Sequence, residues 1–246
     1  MKASALEFRF RYLLHGVVYA IGFLAPWNFS LHLDTTSTWL LLAIYMSRSG
    51  LLSLAAATDA LLVVATLCAV SGAALRTWGS AFLGAGIVQD GAMHTGQATD
   101  GVTVDGPFRY LRNPLYLGTF IHTLALSFLM PRTGAIWTLV LIGIMQIRLM
   151  LAEEAFLTAK LGAPYLRYCT LVPRIIPRFR AVVAAGGKDP NWSSAFLGEL
   201  YMWGVAIGFI ALGWRYNAFL LTQAVLVSFG CSLMARAFIA RPAKSA

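Results

Sequence analysis

Long apolar runs, separated by short basic or proline-bearing breaks, set the pattern of this chain. The first runs over residues 13–31, with Trp27 near its end as an interfacial aromatic. The second covers residues 58–78 and is ended by Arg76. Residues 114–130 and 134–152 form a pair joined only by residues 131–133, a connection short enough to require an antiparallel hairpin. Residues 195–214 and 217–239 supply the last two runs. About twenty apolar residues let a helix cross a bilayer. The run from Trp39 to Met46 is far shorter, and Arg48 follows it, so residues 37–49 are expected to lie on the membrane surface. The pattern predicts an all-α polytopic bundle of six transmembrane helices plus one interfacial helix.

Composition agrees. The 246 residues are 59% hydrophobic and 12% charged, against about 25% charged in a soluble domain. Mean hydropathy is +0.70. The net charge of +9 reads as basic cytoplasmic faces in contact with membrane lipids. With six spans and a cytoplasmic N-terminus, fifteen of the nineteen Lys and Arg residues fall on the cytoplasmic side and three on the other. The remaining one, Arg148, lies in a span. A nucleic-acid partner is excluded, because no basic, aromatic-interleaved soluble domain exists. Cys68, Cys169 and Cys231 are scattered and the four histidines dispersed, so neither disulfide framework nor metal site is expected. Pro26-Trp27 stands late in the first run where a small-residue cleavage site would be needed, so that run reads as a retained anchor.

Residues 79–105 interrupt the apolar pattern and carry six glycines. Connections this long are usually functional or disordered, and this one starts too apolar for a solvated linker. It is expected to lie along the membrane face and cover a site. Gly84-Ala85-Gly86 fails the dinucleotide fingerprint at Gln89. The segment divides the chain into membrane anchor spans (1–78), a core bearing the site (79–192) and a C-terminal helical hairpin (193–246). Its polar groups are Asp90, His94, Asp100 and Asp105. His122, Arg148 and Glu199 lie inside apolar runs, where ionisable groups are functional candidates.

The chemistry concentrates in residues 106–118, Gly-Pro-Phe-Arg-Tyr-Leu-Arg-Asn-Pro-Leu-Tyr-Leu-Gly. Arg109 and Arg112 stand just before an apolar run. Asn113-Pro114 is a helix start, and the free N–H groups of such a first turn, beside guanidiniums, can hold a carboxylate or phosphate. Glu153-Glu154 closes the second helix of the hairpin on this reading. Neither glutamate has a basic residue four positions away, and the hairpin brings both level with Arg112 and Pro114.

The first motif resembles the Gly-Pro-Tyr-x-x-x-Arg-His-Pro-x-Tyr-x-Gly signature of integral-membrane methyltransferases related to isoprenylcysteine carboxyl methyltransferase and phospholipid N-methyltransferase. A second block of that family, a Glu pair, Gly-x-x-Tyr-x-x-Tyr and Val-Pro-Arg, is similar to Glu153-Glu154, Gly162 to Tyr168 and Val172-Pro173-Arg174 here. The resemblance, to a bacterial-type member, covers roughly residues 75–178. Asn113 stands where the family motif has His.

The resemblance implies S-adenosylmethionine as cofactor and a lipidic or membrane-embedded methyl acceptor, with the site facing the cytoplasm. Arg112 and the helix start at Asn113, Pro114 and Leu115 would take the cofactor carboxylate, and Glu154 its ammonium or ribose hydroxyls. Tyr110, Tyr116, Leu117 and Gly118 would line the approach. Tyr165, Tyr168, Leu171, Val172, Pro173 and Arg174 would close over the adenine, although this segment also reads as a basic amphipathic stretch on the lipid surface. Arg109 would orient a carboxylate acceptor, whereas Glu153 or His94 would take the proton of an amine acceptor. Both O- and N-methylation stay open. So do two other classes, a non-catalytic lipid or cofactor sensor and a small transporter. The latter lacks repeated halves or paired broken helices.

Overall fold

A computed structural model describes residues 2–84 and 102–235. Among these residues there is no strand, only one isolated bridge between Ser37 and Pro131. The first half contains α1 (Ala5–Arg9), α2 (Arg11–Leu24), α3 (Trp27–Ser30), α4 (Thr38–Arg48) and α5 (Leu54–Leu83). The second contains α6 (Pro114–Ser127), α7 (Arg132–Leu161), α8 (Ala163–Leu171), α9 (Trp192–Gly198), α10 (Leu200–Leu212) and α11 (Ala218–Ala235). The fold class is all-α. Three described helices, α5, α7 and α11, are long and apolar enough to cross a membrane. Trp192–Gly198 with Leu200–Arg215 makes a fourth if that pair, bent by 71°, is one span. The other two expected spans, α2 and α6, have 14 residues each, about 21 Å of helix.

Three expected boundaries change, each for a local reason. The first run breaks at Leu24, because Ala25 turns left-handed (φ 39°) ahead of Pro26, which cannot extend the ladder behind it. The second run does not end at Arg76; its helix continues to Leu83, since Glu199 neutralises the arginine inside the bundle. Glu153-Glu154 does not close its helix either. α7 runs on to Leu161 and stops at Gly162, whose φ of 61° suits glycine. The pair therefore sits inside a helix, and opposition by the helix dipole does not act on it.

The packing is that of a membrane bundle. The buried face of α5 is made of small residues such as Ala65, Ala69, Gly72 and Ala73, while Val63, Val64 and Leu67 stand exposed. Small residues let backbones approach where lipid gives no hydrophobic drive. α5 runs antiparallel to α6, and a Cβ added at Gly118 would lie 2.7 Å from Arg76 Cγ and 2.9 Å from the Gly72 carbonyl oxygen. Gly118→Val is expected to destabilise the protein by about 1–3 kcal/mol through overpacking. Gly230→Ala, with nothing within 4 Å of the new methyl, serves as the tolerated control. Thermal unfolding in detergent measures both.

α4 is too short to cross, about 16 Å for its 11 residues. The Thr38 and Trp39 N–H groups donate to the Met130 and Phe128 carbonyls at 2.8 and 2.9 Å. This anchors α4 over the turn between α6 and α7, at the end of the hairpin remote from Asn113.

Candidate active site

The site grows from the start of α6. Residues 106–109 form a 3-10 turn that begins at Gly106, held at φ 57°. Asn113 follows as the N-cap residue of α6, yet its side chain does not cap the helix. Its amide donates instead to Glu154 Oε1 at 3.0 Å and to the Arg174 carbonyl at 3.1 Å. Pro114 has no N–H, so the N–H groups of Leu115 and Tyr116 head an N-terminus without a side-chain cap.

The second sequence block lies directly over the first. The Arg112 N–H donates to the Pro173 carbonyl at 2.8 Å, that of Arg178 to Tyr110 at 3.1 Å, and that of Val182 to Arg109 at 3.0 Å. The Tyr168 hydroxyl donates to the Phe108 carbonyl at 2.8 Å. Burial pushes that phenol well above its usual range, so it stays protonated. Tyr165 is buried beside it with Val172.

Glu154 is the electrostatic hub. Arg174 binds it at 2.8 Å and Arg112 at 3.4 Å. The hydrogen bonds that Arg174 donates to Glu154 raise the Arg174 pKa above its ordinary value. Glu153 points elsewhere and accepts the Tyr116 hydroxyl at 2.6 Å. A cavity of about 740 Å³ opens here, lined by Arg112, Asn113, Pro114, Leu115, Tyr116 and Glu153. Its volume falls within the ~300–1,000 Å³ typical of small-molecule sites. Arg112 Nε is buried there without a hydrogen-bond partner among the described residues.

The other anticipated residues of the two blocks fall outside the cavity lining. Arg109 donates its Nε to the Val183 carbonyl at 3.0 Å. Tyr110 stacks near Trp78, ring centroids 5.8 Å apart. Gly118 faces α5, so its closeness serves helix packing and not a ligand. Leu117, Leu171, Val172, Pro173 and Arg174 stand around the site without lining the cavity, and Glu154 turns its carboxylate to the arginines. His94, Asp90 and Asp100 lie outside the described residues. Asp105 is buried and accepts the N–H groups of Gly186, Gly187 and Lys188 at 2.6–3.3 Å.

The cavity also takes residues from outside the two sequence blocks, of which sequence reasoning had singled out only Glu199. Arg11, His15, Tyr19 and Phe23 recur every fourth position on α2, so the cavity extends along that helix for about 18 Å. Its character passes from Arg11 and His15 to Phe23 and Leu24. His15 Nε2 meets Gln146 at 3.0 Å. Thr222, Val225, Leu226 and Phe229 contribute a second stripe from α11. Arg76 and Glu199 line it as a two-pronged ion pair, 2.7 and 2.9 Å. Ser80 donates to Glu199 at 2.8 Å, and Arg76 donates to Thr119 at 2.8 Å. Two opposite charges in separate apolar runs were the available signal for this pair. His122, by contrast, is fully buried against α5 and Tyr201, away from the cavity. Arg148 pairs with Glu7 at 2.8 Å.

Comparison with known families adds the deciding observation. Residues 60–163 match the phospholipid methyltransferase family. This bears out the resemblance seen in the motifs: over that span the chain is similar to phospholipid methyltransferases, and its long apolar helices suit a membrane protein. That family's name denotes enzymes that transfer a methyl group to a phospholipid. No curated protein and no solved structure matches the chain. The matched span runs from within α5 through the whole of α7 and includes the first block and the glutamate pair. Helix α2, the residues that strap the site from Pro164 onward, Glu199 and α11 lie beyond it. The family's histidine is replaced here by Asn113, which still presents an N–H donor, now given to Glu154.

Proposed function

We propose that the protein transfers the methyl group of S-adenosylmethionine to the amine of a phospholipid headgroup, on the cytoplasmic side of the membrane. The observation that carries this reading is the convergence of the two sequence blocks at the polar end of a cavity whose other end is apolar. The residues present suit the cofactor. Arg112 has a buried, unpartnered Nε, and the uncapped start of α6 adds N–H groups, so together they would hold its carboxylate. Glu154, with Asn113, would fix the Arg112 guanidinium and act as a positioning residue. Tyr165, Tyr168 and the segment after them would cover the adenine.

S-adenosylmethionine supplies a methyl group already activated on a sulfonium. The chain's own task is then to align the acceptor and exclude water. Glu153, oriented by the Tyr116 hydroxyl, would take the proton that an amine releases as its lone pair forms the new bond to carbon. An amine is favoured over a carboxylate because Glu153 faces the cavity, while Arg109 is bound to the Val183 carbonyl outside its lining. Leu24, Leu226 and Phe229 are both cavity-lining and exposed on the bundle surface, which suits acyl chains lying between α2 and α11. The basic residues gathered around the site support the cytoplasmic face.

The test is Glu153→Gln. Transfer of radiolabelled methyl into the lipid fraction of proteoliposomes containing an amine phospholipid is expected to fall roughly 100- to 10,000-fold, with cofactor affinity unchanged. Normal turnover would remove Glu153 from the reaction. Label entering protein or small molecules, and not lipid, would overturn the acceptor.

A further inference from the structure

The segment that straps the site presents an outer surface that the methyl-transfer reading leaves unused. From residue 155 to residue 188 the chain has no acidic side chain, while six Lys and Arg residues fall in that stretch. Arg167, Arg178 and Arg180 are exposed. Between them stand apolar side chains turned away from the protein. Phe179 is 104% exposed, Ile176 81% and Leu166 53%. A fully exposed phenylalanine flanked by two arginines gains nothing from the fold. Its surroundings match the boundary of an anionic bilayer, where the ring enters the acyl region and the guanidiniums meet phosphates.

The same segment is tied to the site by its backbone. The Arg178 and Val182 N–H groups donate to Tyr110 and Arg109, and the Pro173 carbonyl accepts from Arg112. Anything that immobilises residues 173–182 therefore steadies the guanidinium-bearing segment beneath them.

We propose that residues 166–180 are a docking surface for an anionic leaflet, and that docking holds the strap closed over the cofactor end of the cavity. The partner is committed by charge complementarity and by the exposed aromatic between arginines. Each cation near an anionic surface multiplies binding by roughly five, so a cluster of three makes a surface sensitive to lipid charge and to salt. The effect on cofactor affinity rests on the methyl-transfer reading, while docking itself does not.

The experiment separates the two. Phe179→Cys in a background with Cys68→Ala, Cys169→Ala and Cys231→Ser carries a nitroxide, and its depth is read by power saturation with oxygen and a water-soluble nickel complex, without cofactor. Vesicles of phosphatidylcholine are compared with vesicles containing phosphatidylglycerol. The label is expected to sit within the bilayer on phosphatidylglycerol and to move toward water when Arg178 and Arg180 are both changed to Gln. A label equally accessible to the nickel complex on both vesicle types overturns docking. If protection instead requires an added acidic protein, the surface belongs to a protein partner and the proposal fails. In a second readout, the cofactor dissociation constant of the otherwise unaltered protein is expected to fall severalfold on phosphatidylglycerol. A buried label with an unchanged dissociation constant overturns the coupling alone. Absence of cofactor binding on either vesicle type counts against the methyl-transfer reading and leaves docking intact.

Discussion

Glu199→Ala is expected to destabilise the protein by about 3–5 kcal/mol, the largest effect of any single change proposed for this chain. The carboxylate is 5% exposed and its partner Arg76 14% exposed. Glu199 occupies the break between α9 and α10, where it accepts two bonds from Arg76 and one from Ser80. Removing it strands a guanidinium inside a membrane bundle. Thr119 and the Leu115 carbonyl, its remaining partners, are neutral, so neither replaces the lost counterion. The penalty comes from the orphaned cation and not from the net value of the pair. Replacing both partners at once, as Arg76→Met with Glu199→Leu, is therefore expected to recover most of the loss. Thermal unfolding of both single variants and the double variant in detergent decides this. A double variant as unstable as the singles would mean that the pair contributes specific structure, such as the bend at Glu199, beyond mutual neutralisation.

Arg112→Ala is expected to weaken S-adenosylmethionine binding roughly 10- to 150-fold, equivalent to the ~1.5–3 kcal/mol of a hydrogen bond to a charged group. The fold should survive the change. Glu154 keeps Arg174 at 2.8 Å and the Asn113 amide at 3.0 Å, so no carboxylate is left alone. Titration calorimetry of detergent-solubilised protein measures the dissociation constant, and an unchanged value would exclude Arg112 from the site. Glu154→Gln should behave differently. It removes the shared anion of Arg112 and Arg174, so it is expected to lower the melting temperature without ligand and to loosen cofactor binding through a mobile Arg112. Were Glu154 instead a direct partner of the cofactor, the ligand-free melting temperature would stay put and only the upward shift on adding cofactor would vanish.

The membrane class and the all-helical fold were legible in the sequence because bilayer thickness and backbone hydrogen bonding leave few alternatives to long apolar helices. The meeting of Arg112 and Asn113 with the glutamate pair was legible too. The break between the third and fourth runs is so short that the hairpin must place their outer ends side by side. Local rules also account for the stop at Pro26, although hydropathy alone ran past it. Other features depended on contacts between distant segments. Arg76 looked like a helix end because a lone charge is costly in lipid, and only Glu199, 123 positions away, makes it compatible with a continuing helix. The division of labour within the glutamate pair is likewise tertiary. Adjacent residues on a helix point about 100° apart, so Glu154 meets the strap's Arg174 while Glu153 meets Tyr116. The cavity itself is assembled from faces of α2, α5, α6, α7, α10 and α11. Sequence periodicity marks each face as apolar or mixed, but lipid and protein interior are alike in polarity. Which faces turn toward one another to enclose a site was therefore decided by the small-residue packing of the folded bundle.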